Sequence, residues 1–313
     1  YRDSLSPEEF CHSFLIPNLP VLLGPSLTSP WPAHHHWVVH QPPHSPQGSQ
    51  PANPLDLPFG EAQVSVADCC PLPEDGENGC MSNPSTTNDV LSKTDVSVGQ
   101  FYLKDWHLVK DYPNVAAYAT PALFTDDWIN EFWDHRTDSD DDYRFVYIGG
   151  HRTWTPFHTD VFRSYSWSTN ICGIKLWTMY PPGQESTFTD SFGNTVFDIN
   201  NYNHAQFPHF ENATRFQVYQ LPGQTLFVPS GWAHQVENIG ETISINHNWA
   251  NACNLPDLYG TLVRELDLVE HAIRDCAGME GWSAHCQLLL RANHGIHFAD
   301  FYRLLAFKAR SLV

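Results

Sequence analysis

His158 and Asp160 lie two residues apart in the segment TWTPFHTDVF. On a β-strand alternate side chains share a face, so this imidazole and this carboxylate would point into the same pocket. His234 follows the turn residues Pro-Ser-Gly in VPSGWAHQVEN and begins another β-rich run. Two histidines and one carboxylate form a facial triad that leaves coordination positions open, as an Fe(II) centre that reacts with dioxygen requires. The spacing therefore predicts a metal site made of His158, Asp160 and His234.

Lys175 lies in the apolar segment GIKLWTMYPPG, where an unpaired ammonium group is costly to bury. The distal carboxylate of 2-oxoglutarate would supply the anionic partner, and a hydroxyl group of Thr155 or Tyr102 could share it. The alternative is a lysine that reaches solvent or pairs with a nearby acid. Asn246 and Asn248 alternate in ISINHNW, so they share a face. They are candidates for binding the keto acid or the substrate, or else ordinary strand-end asparagines.

The segment from 143 to 249 consists of short β-rich runs broken by turns, and helical patterns follow it. This rhythm is typical of a double-stranded β-helix, a jelly roll of the cupin type that can hold a ligand between its two sheets. The fold class is therefore mainly β with helices. Four parts are expected: an N-terminal docking segment (1–30), a low-complexity and largely disordered segment (31–98), a jelly-roll catalytic domain (99–253) and a C-terminal helical region (254–313).

Three shorter patterns predict individual elements outside the central β-rich runs. SPEEF opens like a capped helix, and EAQVSVADC is the one strand-like run between 31 and 98. In FTDDWINEFWDH, Thr125 is the expected helix cap, and an apolar face that includes Trp128 and Trp133 is expected to pack on a sheet. The C-terminal helices could also form a homodimer.

Composition limits the classes of partner. The formal net charge is −19, with 35 acidic and 16 basic residues, so the chain lacks the basic surface that nucleic-acid binding requires. No stretch approaches the roughly 20 apolar residues of a membrane span, and the first residues do not resemble a signal peptide. The eight cysteines have no C-x-x-C pair, which favours reduced thiols. We expect a soluble, cytoplasmic protein that binds a cationic protein partner.

Two long segments resemble the halves of a JmjC catalytic core: YIGGHRTWTPFHTDVFRSYSWSTNICGIKLWTMYPPG and LFVPSGWAHQVENIGETISINHNW. The resemblance covers roughly residues 100–310. It implies Fe(II) held by the facial triad, 2-oxoglutarate as co-substrate, dioxygen as oxidant and ascorbate as the reductant in vitro. It further implies that Lys175 and Thr155 hold the 2-oxoglutarate carboxylate, with Tyr102, Asn248 and Asn246 as less secure matches. The segment 31–98 departs from the pattern of the family, which affects substrate docking more than metal binding.

The resemblance implies a protein hydroxylase, with a lysine of the eukaryotic translation termination (release) factor as its substrate. The first alternative is an N-methyl-lysine demethylase, which uses the same oxidant on a carbon attached to nitrogen. The second is a non-catalytic scaffold that recruits partners through its acidic surface. The third is a cupin-like isomerase or lyase that does not use 2-oxoglutarate, and this one would leave Lys175 without a role.

Overall fold

The computed structural model describes residues 1–38, 63–68, 83–86, 101–139 and 141–311. The strands in these ranges are β1 (Val21–Leu23), β2 (Gln63–Asp68), β3 (Asn83–Thr86), β4 (Phe101–Trp106), β5 (Arg144–Gly149), β6 (Trp154–His158), β7 (Tyr165–Tyr180), β8 (Phe216–Gln220), β9 (Thr225–Val228) and β10 (Ala233–Trp249).

The α-helices in the same ranges are α1 (Pro7–Phe10), α2 (Ala33–His36), α3 (Leu108–Asp111), α4 (Trp128–Asp134), α5 (Glu185–Phe188), α6 (Leu255–Ala272), α7 (Trp282–His294) and α8 (Phe298–Ser311). A π-helical turn, Cys11–Leu15, continues α1. Short 3-10 helices are Pro25–Leu27, Ala122–Phe124, Val161–Arg163, Phe210–Asn212 and Arg274–Cys276. Within the described residues, no helix combines the length and the apolar character needed to cross a membrane.

The two longest strands, β7 and β10, pair antiparallel along nearly their whole length. Through one half of this pair the strand order is β1-β9-β7-β10-β5-β4-β2-β3. Through the other half β8 pairs with β7, and β6 pairs with β10. This arrangement confirms the predicted jelly roll with additional helices. Strand β2 also confirms the strand expected in EAQVSVADC.

The β7–β10 pair changes its register near Gly173, where the pairing skips from Ile239 to Ile243. Gly173 has φ +72°, a left-handed conformation that only glycine adopts at little cost. A Cβ at this position would also collide with the carbonyl oxygen of Glu241. This irregularity separates the half of β7 that pairs with β9 from the half that pairs with β8, and it lies two residues before Lys175.

We expect Gly173→Ala to destabilise the protein by at least about 2–3 kcal/mol, because it adds both backbone strain and a collision with the opposite strand. Urea unfolding would measure this loss. Gly150→Ala is the matched control, since a Cβ there meets no atom within 4 Å, and it should cost less than about 1 kcal/mol. Equal stability of the two variants would contradict this explanation of the irregularity.

The N-terminal residues pack into the main hydrophobic core. Ser6 caps α1 in a capping box with Glu9, as the SPEEF pattern predicts. Phe10 is buried against Phe124 and Phe227, and Trp31 packs beside Trp167. The predicted boundary at residue 31 therefore does not coincide with a break in packing, because residues on both sides of it are buried. Most of the segment 31–98 lies outside the described residues.

Helix α4 forms where the sequence predicts a helix, but its cap and its packing differ from the expectation. Asp127, and not Thr125, is the cap, because its carboxylate accepts a hydrogen bond from the Asn130 backbone N–H at 2.9 Å. Phe132 and Trp133 are buried in a cluster made largely with the C-terminal helices, so the expected packing on the sheet was wrong for most of this face. The surface against which α4 packs comes from residues much later in the chain.

Candidate active site

Strand pairing brings the three predicted metal ligands together. His158 ends β6 and lies directly opposite His234, the second residue of β10. Asp160 follows two residues after His158, where the chain leaves the strand for a short 3-10 helix. One donor atom from each of the three side chains lies within 4.8 Å of the others. A single ion can therefore reach all three.

Backbone carbonyls orient both imidazoles. His158 Nδ1 lies 2.8 Å from the carbonyl oxygen of Pro156, and His234 Nδ1 lies 2.9 Å from that of Trp232. In each case Nδ1–H donates to the carbonyl, which leaves the lone pair on Nε2 available for a metal. Burial, together with the nearby His234, lowers the pKa of His158 to about 4. His158 is therefore neutral at physiological pH, as a metal ligand must be.

The third ligand is oriented by a hydroxyl group. Ser166 Oγ donates a hydrogen bond to Asp160 Oδ2 at 2.7 Å, so Oδ1 remains available to a metal. Ser166 is buried on β7, and this position fixes the direction from which it reaches the carboxylate. A carboxylate held in this way cannot rotate freely away from the two histidines.

We expect Ser166→Ala to weaken metal binding by about 10- to 100-fold, because the carboxylate loses the group that orients it. Titration with Mn(II) would measure the affinity without turnover. Ser166→Thr is the matched control, since it keeps the hydroxyl group and should retain most of the affinity. If Ser166→Ala binds Mn(II) as wild type does, this hydrogen bond has no role in the site.

Lys175 is buried, with 2% of its surface exposed, so it does not reach solvent. Its Nζ donates to Ser244 Oγ at 2.6 Å, and it lies 5.5 Å from the centre of the Tyr147 ring. Within the described ranges no carboxylate forms an ion pair with it. Burial, with a smaller contribution from Lys104, lowers the pKa of Lys175 to about 7. This ammonium group lacks an anionic partner, as the sequence predicts for a group that binds a carboxylate.

All eight predicted site residues line one cavity of about 50 Å³. They are His158, Asp160, His234, Lys175, Thr155, Tyr102, Asn246 and Asn248. The predicted metal ligands and the buried lysine thus face the same space. The roles assigned to the eight residues remain predictions.

Three polar atoms buried at residues of the cavity wall have no hydrogen-bond partner in the part of the chain that is described. They are Trp167 Nε1, Ser168 Oγ and Asn246 Oδ1. Leaving such atoms without a partner is costly, so a polar ligand that reached them would be stabilised. Together with the donor set of the triad and the unpaired lysine, they make the cavity suitable for iron and a dicarboxylate.

Sequence reasoning missed several residues of this wall. They are Tyr147, Ser166, Trp167, Ser168, Trp177 and Val236. For two of them a signal was present, because Ser166 and Ser168 alternate along YSWST and must share a face of β7. Tyr147 and Ser244 gave no such signal, since their positions depend on how distant strands pair.

Comparisons with known proteins agree with this geometry. A family model described as "JmjC domain, hydroxylase" matches residues 145–249. The mouse protein "2-oxoglutarate and iron-dependent oxygenase JMJD4" is 38% identical over 97% of this chain and 72% of its own length. The human protein of that name is 37% identical over 96% and 73%. The "Arginine-specific demethylase JMJ20" of Arabidopsis thaliana is 39% identical over 96% and 68%. The chain belongs to the JmjC family of 2-oxoglutarate- and iron-dependent oxygenases.

Proposed function

We propose that this oxygenase is a cytoplasmic protein hydroxylase that adds one oxygen atom to a lysine side chain of the eukaryotic translation termination factor. The observation that carries the chemistry is the single cavity shared by a two-histidine, one-carboxylate set and a buried lysine without an anionic partner. Two features support the substrate: the resemblance of the catalytic core, which implies it, and the net charge of −19, which suits a cationic side chain. The catalytic domain in this proposal is residues 99–253.

Each residue of the cavity has a defined task in this proposal. His158, Asp160 and His234 hold Fe(II). Lys175 binds the distal carboxylate of 2-oxoglutarate. The remaining polar residues, which complete the binding of the keto acid or the substrate, are Thr155, Tyr102, Asn246 and Asn248.

When bound, iron and 2-oxoglutarate supply an oxidant from dioxygen, and the keto acid is converted to succinate and carbon dioxide. The protein holds the Nδ1 atom of each imidazole at a backbone carbonyl, which leaves both Nε2 atoms available to the metal. Trp177 and Val236 give the wall apolar surface, which excludes water from the reacting carbon. Orientation of a single C–H bond toward the metal is the protein's main contribution to the rate.

A second candidate is demethylation, which the name of the Arabidopsis relative, an arginine-specific demethylase, favours. Oxidation of an N-methyl carbon gives a hemiaminal that releases formaldehyde, whereas oxidation of a carbon not attached to nitrogen gives a stable alcohol. The two functions therefore differ in their products and not in their metal site. No comparison favours the scaffold or the isomerase, since these relatives are named as oxygenases or a demethylase.

Product analysis separates the two candidates. Recombinant termination factor would be incubated with the enzyme, 2-oxoglutarate, Fe(II) and ascorbate, and then digested for mass spectrometry. The hydroxylase proposal predicts a gain of one oxygen atom on a lysine, with the label incorporated from ¹⁸O₂. Asp160→Ala is the matched inactive control. Formaldehyde release from methylated lysine or arginine peptides, without hydroxylation of the termination factor, would establish the demethylase instead.

A further inference from the structure

Strand β4 contains an irregularity next to the cavity. Its pairing with β5 shifts between Leu103 and Trp106, so Lys104 and Asp105 lie in a bulge. Asp105 has φ +56°, which is uncommon for a residue other than glycine. Bulges occur beside active sites, where they redirect a side chain from the face that regular alternation would give it. The direction of the Asp105 side chain therefore follows from this bulge.

A hydrogen bond from one aromatic residue of the cavity wall connects Asp105 to the cavity. Tyr147, which lines the cavity, donates a hydrogen bond from its hydroxyl group to Asp105 Oδ1 at 2.6 Å. Asp105 itself is exposed and is not part of the cavity lining, so a molecule in solvent can reach its carboxylate. Burial, with contributions from Asp105 and Asp160, raises the pKa of Tyr147 well above its usual value. Tyr147 thus stays a neutral donor and holds the carboxylate in place.

The positive charges near the cavity indicate a role for the Asp105 carboxylate. Lys175 lines the cavity, and Lys104 lies close enough to Lys175 to lower its pKa. In the proposed complex the 2-oxoglutarate carboxylate offsets the charge of Lys175, but a substrate with a cationic side chain would still be repelled by Lys104 unless an acid lay nearby. Asp160 cannot serve, because the proposed metal takes its charge. Asp105 is an exposed carboxylate held by a residue of the cavity wall.

We propose that Asp105 is a specificity-determining residue that binds the ammonium group of the substrate lysine beside the cavity, with Tyr147 as the residue that positions it. The inference rests on the proposed lysine hydroxylase function. In this inference Asp105 is the side chain that distinguishes a cationic substrate from a neutral one. The target carbon then lies between this ammonium contact and the metal site.

The test uses Asp105→Asn, because asparagine tolerates positive φ and keeps an oxygen that can accept the Tyr147 hydrogen bond. Initial rates would be measured with a termination-factor peptide that contains the target lysine, and with the same peptide containing norleucine at that position. Loss of the charge should raise the KM for the lysine peptide about tenfold, with kcat and the KM for 2-oxoglutarate within about twofold of wild type. The preference for lysine over norleucine should fall by the same factor. Asp275→Asn, which removes an exposed acid from the C-terminal region, is the control for net charge and should match wild type.

The possible failures are distinguishable. If wild type hydroxylates the lysine peptide and Asp105→Asn does so with an unchanged KM and an unchanged lysine preference, the role of Asp105 is wrong and the proposed function stands. If kcat falls while KM does not change, Asp105 acts through the catalytic geometry and not through the ammonium group. If wild type modifies no lysine, both the function and this inference are wrong.

Discussion

Asp160→Ala is expected to abolish conversion of 2-oxoglutarate to succinate and to remove most of the affinity for metal. The carboxylate is the one acidic side chain of the set, and the two histidines alone leave a divalent ion without charge compensation. The loss of metal affinity should exceed the roughly 100-fold that removal of a residue orienting a ligand can cost. Succinate assay and metal analysis of the purified protein would measure both effects.

The control for Asp160→Ala has to separate loss of the metal from loss of the fold. Asp160 lies where the chain leaves β6, and its carboxylate contacts Ser166, so the metal-free variant should unfold close to the temperature of metal-free wild type. Asp275→Ala removes an equal charge from an exposed position and should retain turnover. Succinate formation by Asp160→Ala at a wild-type rate would exclude Asp160 as a ligand.

Lys175→Met is expected to raise the KM for 2-oxoglutarate by about 100-fold or more, because the buried ammonium group is the proposed partner of the distal carboxylate. A hydrogen-bonded ion pair of this kind is worth about 1.5–3 kcal/mol, and more when it is buried. Metal binding should change little, since Lys175 is not among the clustered metal donors. Succinate formation at increasing 2-oxoglutarate concentration would measure the KM. An unchanged KM would contradict the assignment.

The same substitution should stabilise the protein in the absence of 2-oxoglutarate. Burial lowers the pKa of Lys175 to about 7 in the folded state, whereas the unfolded chain has the ordinary value near 10.5. Between these values the unfolded state binds more protons, so wild-type stability rises as pH increases from about 7 toward 10.5. The gain from Lys175→Met is therefore largest at or below pH 7 and fades at higher pH. Thermal unfolding across this pH range would measure it.

2-Oxoglutarate binding should show the opposite pH trend. The charged form of Lys175 binds the carboxylate, and above pH 7 binding must first take up a proton. The affinity of wild type for 2-oxoglutarate should therefore fall by at most about tenfold per pH unit above 7. Lys175→Met should bind weakly at every pH. A flat profile for wild type would indicate that another group neutralises the carboxylate.

Much of the site could be predicted from local sequence because its residues follow simple rules. The two-residue spacing predicts that His158 and Asp160 face one pocket, although Asp160 lies just beyond the end of β6. A turn delivers His234 to the start of β10. The cost of burying Lys175 in an apolar run identified it as a group that needs an anion. The jelly roll followed from the succession of short β-rich runs, which the strand order confirms.

What could not be predicted depends on contacts between distant residues. Ser244 is 69 residues from Lys175, and their hydrogen bond depends on how the distant strands β7 and β10 pair. The contact between Tyr147 and Asp105 likewise needs the bulge in β4. Thr125 is of a residue type that often caps a helix, but the chain geometry gives that role to Asp127. Dimerisation through the C-terminal helices remains a prediction, which sedimentation would test.

We propose that one cavity holds iron through His158, Asp160 and His234 and 2-oxoglutarate through Lys175. Anaerobic titration of the purified chain with Fe(II) and 2-oxoglutarate tests this assignment, because chelation of iron by the keto acid gives a visible charge-transfer absorption. We expect this absorption in wild type, its loss in Asp160→Ala, and its appearance in Lys175→Met only at much higher 2-oxoglutarate concentration. Absence of the band from wild type, or its persistence in Asp160→Ala, would show that the assignment is wrong.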